Sequence, residues 1–359
     1  MNASVAQREP VGIAVVGVGG WGKNLARNFA EIPQAFLKYV CDLDEKRRLD
    51  FAARFPSVTP VADFDVVLKD PEVRGVVIAT TGPGHFPLAK KALEAGKDVF
   101  VEKPLVLKSA DARELIRIAE ARGQLLMVGH LLEYHPVVNR LREMVARDEL
   151  GKLHYVYAQR LNLGTVRGDE NAMWNFAPHD ISSILYVLGR EPTDVSARGQ
   201  CYLQKGIEDV VFLTLNFGDQ MLAHIHVSWL DPHKIRRLTF VGSRKMAVFD
   251  DLEPTEKLKI YDKGAQVNQD YGSFAEYVSL RFGDITMPYI KMSEPLRLEC
   301  LHFLECIRER RTPVSDGYDG LRVVQILEAA QESLLQNGRP VRLDQELRRF
   351  GKPVEASQG

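Results

Sequence analysis

Val11–Val16 is an almost unbroken apolar run, and Gly17-Val18-Gly19-Gly20-Trp21-Gly22 follows it as a glycine-rich turn into the helical stretch Lys23–Glu31. A strand that is apolar at nearly every position is one buried on both faces, as in a parallel sheet wrapped by helices. The rest of the first third keeps that alternation. Phe36–Cys41, Gly75–Thr80, Asp98–Glu102 and Leu125–Gly129 read as further strands, and Asp44–Arg54 as a charged surface helix. Ala110–Arg122 reads as a helix with Ser109 as N-cap, Asp111 in its first turn and Gly123 just past its end. Its Ala112, Leu115, Ile116 and Ala119 form the stripe that packs on a sheet.

Past about His130 the period changes. Asn175–Leu188 reads as a helix, but Val211, Leu213, Leu215 and Phe217 alternate, as do Met221, Ala223, Ile225, Val227 and Trp229. With a Gly218-Asp219 turn between them, these are the two arms of an antiparallel hairpin with one apolar face. Arg236–Val241, Met246–Asp250 and Lys257–Tyr261 continue the meander, and the amphipathic helices Leu296–Arg310 and Leu321–Gln336 follow. The 359 residues suit two domains, 8–130 and 131–343, with a polar tail at 344–359. Forty-seven Lys+Arg balance 48 Asp+Glu, which argues against a partner that is a nucleic acid or an anionic membrane. No apolar run approaches the roughly 18–20 residues of a membrane span. Met1–Pro10 lacks the apolar segment of a signal peptide, and the four cysteines include no CxxC pair. A cytoplasmic location is expected.

The turn Gly17–Gly22 is a GxGxxG match in the required context, after a buried strand and opening a helix. Gly17 permits the tight turn, Gly19 lets the backbone approach a pyrophosphate, and Gly22 allows close helix–strand packing, with Gly20 a further expected cofactor-binding residue of the loop. Asp42, at the end of the second strand, is placed to accept hydrogen bonds from an adenosine ribose and to repel a 2′-phosphate. The expected cofactor is NAD rather than NADP, although Arg47 and Arg48 lie one turn further on. Glu102-Lys103-Pro104 closes the strand Asp98–Glu102. In a doubly wound sheet ligands bind beyond the carboxyl ends of the strands, so Lys103 should point at the nicotinamide crevice and can polarise a hydroxyl or carbonyl there.

GVGGWG, VEKPL at Val101–Leu105, VGH at Val128–His130 and EPLRLECLHFLECIRERRTPVSDGYDG at Glu294–Gly320 together resemble the Gfo/Idh/MocA oxidoreductases. The resemblance runs from about Val11 to Leu343. It implies an α/β chain, an N-terminal Rossmann doubly wound parallel sheet followed by a C-terminal α/β domain with a large, mostly antiparallel open sheet. It also implies hydride chemistry at a carbinol carbon of a sugar, Lys103 at the active site, and a Lys103–Pro104 bond that is often cis in relatives. A homodimer or homotetramer through the C-terminal sheet is the implied assembly. Relatives carry an Asp four residues before a His on the first helix of that domain. Here His179 matches the histidine, but Asn175 stands where Asp is usual.

One helical turn puts positions 175 and 179 on one face. His179 is therefore expected as general base, since histidine titrates near neutrality, with Lys103 positioning and polarising the reacting hydroxyl. Thr80, Pro83 and His85 follow the fourth strand and are expected to line the cofactor, beside Trp21 and Glu102. His130 and Tyr134 follow the sixth strand, at the expected domain boundary. Arg160 and Asn162 share a face of the strand His154–Leu163, with Arg167 in the loop beyond, and arginines there suit a phosphorylated substrate. His224 and His226 share a strand face, but nothing is placed to complete a metal site. Arg160–Gly164 with Trp174–Asp180 resembles the branch that oxidises C3 of UDP-N-acetylglucosamine or its uronate, whose keto products become amino sugars of surface polysaccharide or lipid A. An inositol or simple-sugar dehydrogenase, and a catalytically silent NAD-binding regulator, are the alternatives.

Overall fold

The computed structural model describes residues 9–267 and 278–344, so the tail expected from 344 falls outside the described residues beyond Asp344. By contacts the chain forms two units. Among the described residues one takes in 9–131 together with Glu294–Val324, the other Leu132–Ser293 and 325–344.

In the first unit, strands β1 (Val11–Val16), β2 (Ala35–Cys41), β3 (Thr59–Val61), β4 (Gly75–Ile78), β5 (Asp98–Glu102) and β6 (Leu126–Gly129) alternate with helices. The helices are α1 (Gly22–Glu31), α2 (Glu45–Arg54), α3 (Phe64–Lys69), α4 (Gly82–Glu94) and α5 (Ser109–Arg122). The six strands are all parallel, in the order β3-β2-β1-β4-β5-β6. That is the doubly wound Rossmann order, with its switch point between β1 and β4. Every residue of β1 and β5 is buried, which accounts for the apolar run of β1 and the apolar centre Val99–Val101 of β5. The helix Pro295–Glu309 belongs to this unit. Its Phe303 meets Phe29 of α1 and Phe100 of β5 edge-on, with ring centroids 6.5 and 5.7 Å apart. Several boundaries shift by one or two residues from expectation, and at two helix starts the capping residue changes with them. Asp44 is the N-cap of α2, accepting from the Arg47 N–H, and Ser109 is already helical, with extended Lys108 before it. Gly123 ends α5 in the left-handed region, φ 64°, as its position suggests.

In the second unit α6 (Pro136–Ala146), β7 (Leu153–Leu161), α7 (Ala172–Leu188), β8 (Asp194–Gln200), β9 (Val210–Asn216), β10 (Leu222–Ser228) and β11 (Ile235–Gly242) come first. They are followed by β12 (Met246–Asp250), β13 (Leu258–Val267), β14 (Val278–Thr286) and β15 (Val341–Arg342). The nine strands lie in the order β14-β13-β12-β11-β7-β10-β9-β8-β15. Every pairing is antiparallel except β7 with β10, so this is the mostly antiparallel sheet expected. Val211, Leu213 and Leu215 face Val227, Ile225 and Ala223 across the β9–β10 ladder, and all six are fully buried. The helix α7 packs on β7, β9 and β10. Of the cysteines, Cys41, Cys300 and Cys306 are buried and Cys201 is exposed. Among the described residues no helix is long and apolar enough to cross a membrane.

Candidate functional site

The glycine loop is shaped by close approach at its ends and openness in its middle. Gly17 has φ +87°, and a Cβ there would lie 2.8 Å from the Ala79 carbonyl oxygen that follows β4. A Cβ on Gly22 would lie 1.9 Å from the Gly17 oxygen. By contrast a Cβ on Gly19 would meet only an Arg47 guanidinium nitrogen at 3.4 Å, and one on Gly20 nothing within 4 Å. The helix α1 opens with no acidic residue in its first turn and no side-chain cap. Its N-terminal dipole is thus left for an anion. Asp42 braces the loop: Oδ2 accepts from the Val18 N–H at 2.8 Å, and Oδ1 from the Asp44 N–H at 2.9 Å. A pocket of about 270 Å³ opens beside it, lined by Val18, Gly19, Gly20, Lys23, Arg47 and Phe51 among others. These features fit the adenosine and pyrophosphate of a dinucleotide.

Trp21, inside the loop, donates its Nε1–H to Glu102 Oε1 at 2.6 Å, and the Lys103 N–H donates to Oε2 at 3.1 Å. Glu102 is buried, and burial raises its pKa against the opposing pull of Trp21 and the Lys103 charge. Glu299, on the helix Pro295–Glu309, is fully buried nearby. Burial and the Glu102 charge push its carboxyl well above the usual carboxylate range. The acid closing β5 is thus hydrogen-bonded from the glycine loop and neighboured by a second buried acid. The Lys103–Pro104 bond is cis. His85, on α4, lies buried between two carbonyls, Nδ1 2.8 Å from the Pro104 oxygen and Nε2 3.1 Å from the Thr80 oxygen. Burial lowers its pKa, so the neutral ring donates to one of them. His85 therefore ties the turn carrying Lys103 to the end of β4, where Thr80 lies half-exposed. His130, just past β6, is buried. Neither of its ring nitrogens has a hydrogen-bond partner among the described residues. Burial, helped by the Lys103 charge, depresses its pKa to about 3.

In the second unit, Arg160 near the end of β7 donates through Nε and Nη2 to both oxygens of Asp180 on α7, each at 2.9 Å. Both residues are buried, so this guanidinium fork is committed within the protein. Asp180 follows His179, which is half-buried, its carbonyl accepting from the Ser183 hydroxyl at 2.7 Å. Asn171 caps α7, accepting from the Trp174 N–H at 3.0 Å. Asn175 donates its amide to Glu170 at 2.6 Å and accepts from Trp229 Nε1 at 3.5 Å. Arg167 pairs with the same Glu170 at 3.3 Å. Asn162 lies just past β7, with its N–H on the Ser228 carbonyl, and Tyr134 is buried at the end of the short helix Leu131–Tyr134. His224 and His226 both stack on Phe212. Among the described residues no three His, Cys, Asp or Glu side chains are grouped to hold a metal ion.

Three features escaped sequence reasoning. The Trp21–Glu102 bond joins positions 81 residues apart, Glu299 looked like a polar residue on an amphipathic helix, and Arg236 on β11 looked like one strand residue among many. Only the last had a readable signal, an apolar alternation through Leu238 and Phe240 that puts Arg236 on the inward face.

Residues 11–130 match the oxidoreductase family described as Gfo/Idh/MocA, NAD-binding Rossmann fold, and residues 138–248 match the Gfo/Idh/MocA C-terminal domain. UDP-N-acetylglucosamine 3-dehydrogenase of Acidithiobacillus ferrooxidans is 31% identical over 332 residues, covering 90% of this chain and 97% of that one. Its solved structure superposes with a TM-score of 0.78 over 92% of this chain and 99% of that chain, at 25% identity. The scyllo-inositol 2-dehydrogenase (NAD(+)) of Bacillus subtilis is 26% identical over 92% of this chain and 96% of its own length. GenD2 from gentamicin A biosynthesis, solved in complex with NAD, superposes with a TM-score of 0.79 at 25% identity over 96% of this chain and 99% of its own. The glycine loop with its open middle, the Glu102-Lys103-Pro104 turn and these near full-length likenesses agree, and the chain belongs to the Gfo/Idh/MocA family as an NAD-dependent oxidoreductase.

Proposed function

We propose that this oxidoreductase removes hydride from C3 of a UDP-N-acetylhexosamine, UDP-N-acetylglucosamine or its uronate, giving a 3-keto sugar for amino-sugar synthesis in surface polysaccharide or lipid A. The observation that carries this reading is the match to UDP-N-acetylglucosamine 3-dehydrogenase at 31% identity over nearly all of both chains. It is supported by Asn175, which gives a side-chain amide held by Glu170 and Trp229 where an aspartate is usual. NAD, when bound, accepts the hydride and with it both electrons of the C3–H bond. The chain's own residues do the rest. His179 takes the proton of the C3 hydroxyl, and Lys103 donates a hydrogen bond to the same oxygen, stabilising the charge that develops as the proton leaves. Glu102 and His85 hold the turn on which Lys103 sits. Arg167, Asn162, His130 and Tyr134 are proposed substrate contacts, and Arg160, whose fork Asp180 fills, supports the helix that carries His179. A polyol dehydrogenase is the second reading, favoured by the scyllo-inositol enzyme's match over 96% of its length.

Assembly through the open face of the nine-stranded sheet, where Tyr155, Phe212 and Leu222 stand exposed, is part of the proposal. The function is tested by mixing the purified protein with NAD and each of UDP-N-acetylglucosamine, its uronate, myo-inositol and glucose, and following NADH absorbance. Turnover confined to the nucleotide sugars is the expected result. Silence with both of them alongside turnover of inositol or glucose sinks it. Lys103→Ala should abolish turnover while NAD still binds.

A further inference from the structure

Arg236 begins the inward face of β11. It lies directly opposite Arg160 in the β7–β11 ladder. Cross-strand partners project from the same face. On that face Val156 and Ala158 of β7, and Leu238 and Phe240 of β11, are buried. Two like charges opposed across a ladder repel unless something else compensates them. For Arg160 the compensation is complete, both oxygens of Asp180 being taken by its fork.

Nothing comparable exists for Arg236. It is half-buried, and among the described residues its guanidinium makes no hydrogen bond and no ion pair within 4.0 Å. Asp251, the other carboxylate near it, faces Lys257 and His135, each at 3.7 Å. His135 adds no charge at neutral pH, since burial depresses its pKa to about 4. The cluster thus holds three cations, Arg160, Arg236 and Lys257, against the two carboxylates Asp180 and Asp251. Burial and the neighbouring Arg160 charge push the Arg236 pKa down, which is the mark of a cation poorly compensated by its surroundings. A partly desolvated cation of this kind gains most from an anion that brings its own charge, and the planar fork suits carboxylate or phosphate oxygens.

We propose that Arg236 recognises an anionic group of the substrate, a carboxylate or a phosphate, and so selects charged sugars over neutral polyols. The proposal deepens the nucleotide-sugar reading and rests on it for the identity of the substrate. The wild type, Arg236→Gln and Arg236→Lys are compared by calorimetric titration at saturating NAD with UDP-N-acetylglucosamine, UDP, glucuronate and glucose. A charge-assisted hydrogen bond is worth about 1.5–3 kcal/mol, so Arg236→Gln should weaken the recognised anion by about 10- to 150-fold. Glucose and NAD should bind as before, and Arg236→Lys should restore part of the loss. Loss with UDP and UDP-N-acetylglucosamine identifies phosphate as the target; loss with glucuronate alone identifies carboxylate. A wild type that binds no nucleotide sugar refutes the substrate reading, and the glucuronate–glucose comparison still decides Arg236. Equal binding of all four probes by wild type and Arg236→Gln overturns the proposal, as does a wild type that prefers no anion to glucose.

Discussion

Arg160 and Asp180 illustrate how a single buried pair can be structural while lying next to a proposed catalytic residue. Each has its partner and little else, and both are shielded from water. Removing one member leaves a charge in a medium that solvates it poorly. Asp180→Asn should therefore lower stability by about 3–5 kcal/mol, read as a shift of the urea midpoint. Replacing both residues by apolar side chains of similar volume should recover most of that loss, because no uncompensated charge remains. A wild-type midpoint in Asp180→Asn would mean that the pair contributes nothing to the fold.

Among the elements, the β1–loop–α1 unit makes the sharpest contrast. Gly22→Ala would drive a methyl to 1.9 Å from the Gly17 oxygen, so the loop must distort and Tm should fall. Gly20→Ala meets nothing within 4 Å and should leave Tm unchanged. It should nevertheless weaken NAD in a calorimetric titration, since the methyl enters the space proposed for the pyrophosphate. Equal losses of Tm in both variants would contradict this division of labour.

The same scale shows what the sequence made legible. Strands β1 and β5 match their expected bounds residue for residue, because burial on both faces leaves an unbroken apolar signature in β1 and an apolar centre, Val99–Val101, in β5. The β9–β10 hairpin was readable from its period of two. The helix α4 was hidden, since Gly82-Pro83-Gly84 reads as a turn and Pro87 lies inside the helix. The stripe on Pro295–Glu309 announced that the helix packs, not that Phe29 and Phe100 are its partners. In the site, glycines, Lys103 and His179 were legible as motifs. The alternation of β11 puts Arg236 on the inward face, but the Arg160–Asp180 pair and the placing of Arg236 opposite Arg160 depend on helix docking and strand register, which local patterns do not specify.

For the molecule as a whole, a formal charge of −1 means that bulk electrostatics do not gather its anionic ligands. A helix N-terminus, glycine backbone and a few guanidinium groups must hold them locally, so single residues at these places weigh heavily on binding. The central claim is that hydride passes from C3 of a UDP-N-acetylhexosamine to NAD. The direct measurement is to incubate the protein with NAD and UDP-N-acetylglucosamine deuterated at C3, then to analyse both products by mass spectrometry. Deuterium on the nicotinamide ring of the reduced cofactor, with an unlabelled 3-keto sugar, is the predicted result. Reduced cofactor without deuterium, or label still on the sugar and no reduced cofactor, would contradict the account.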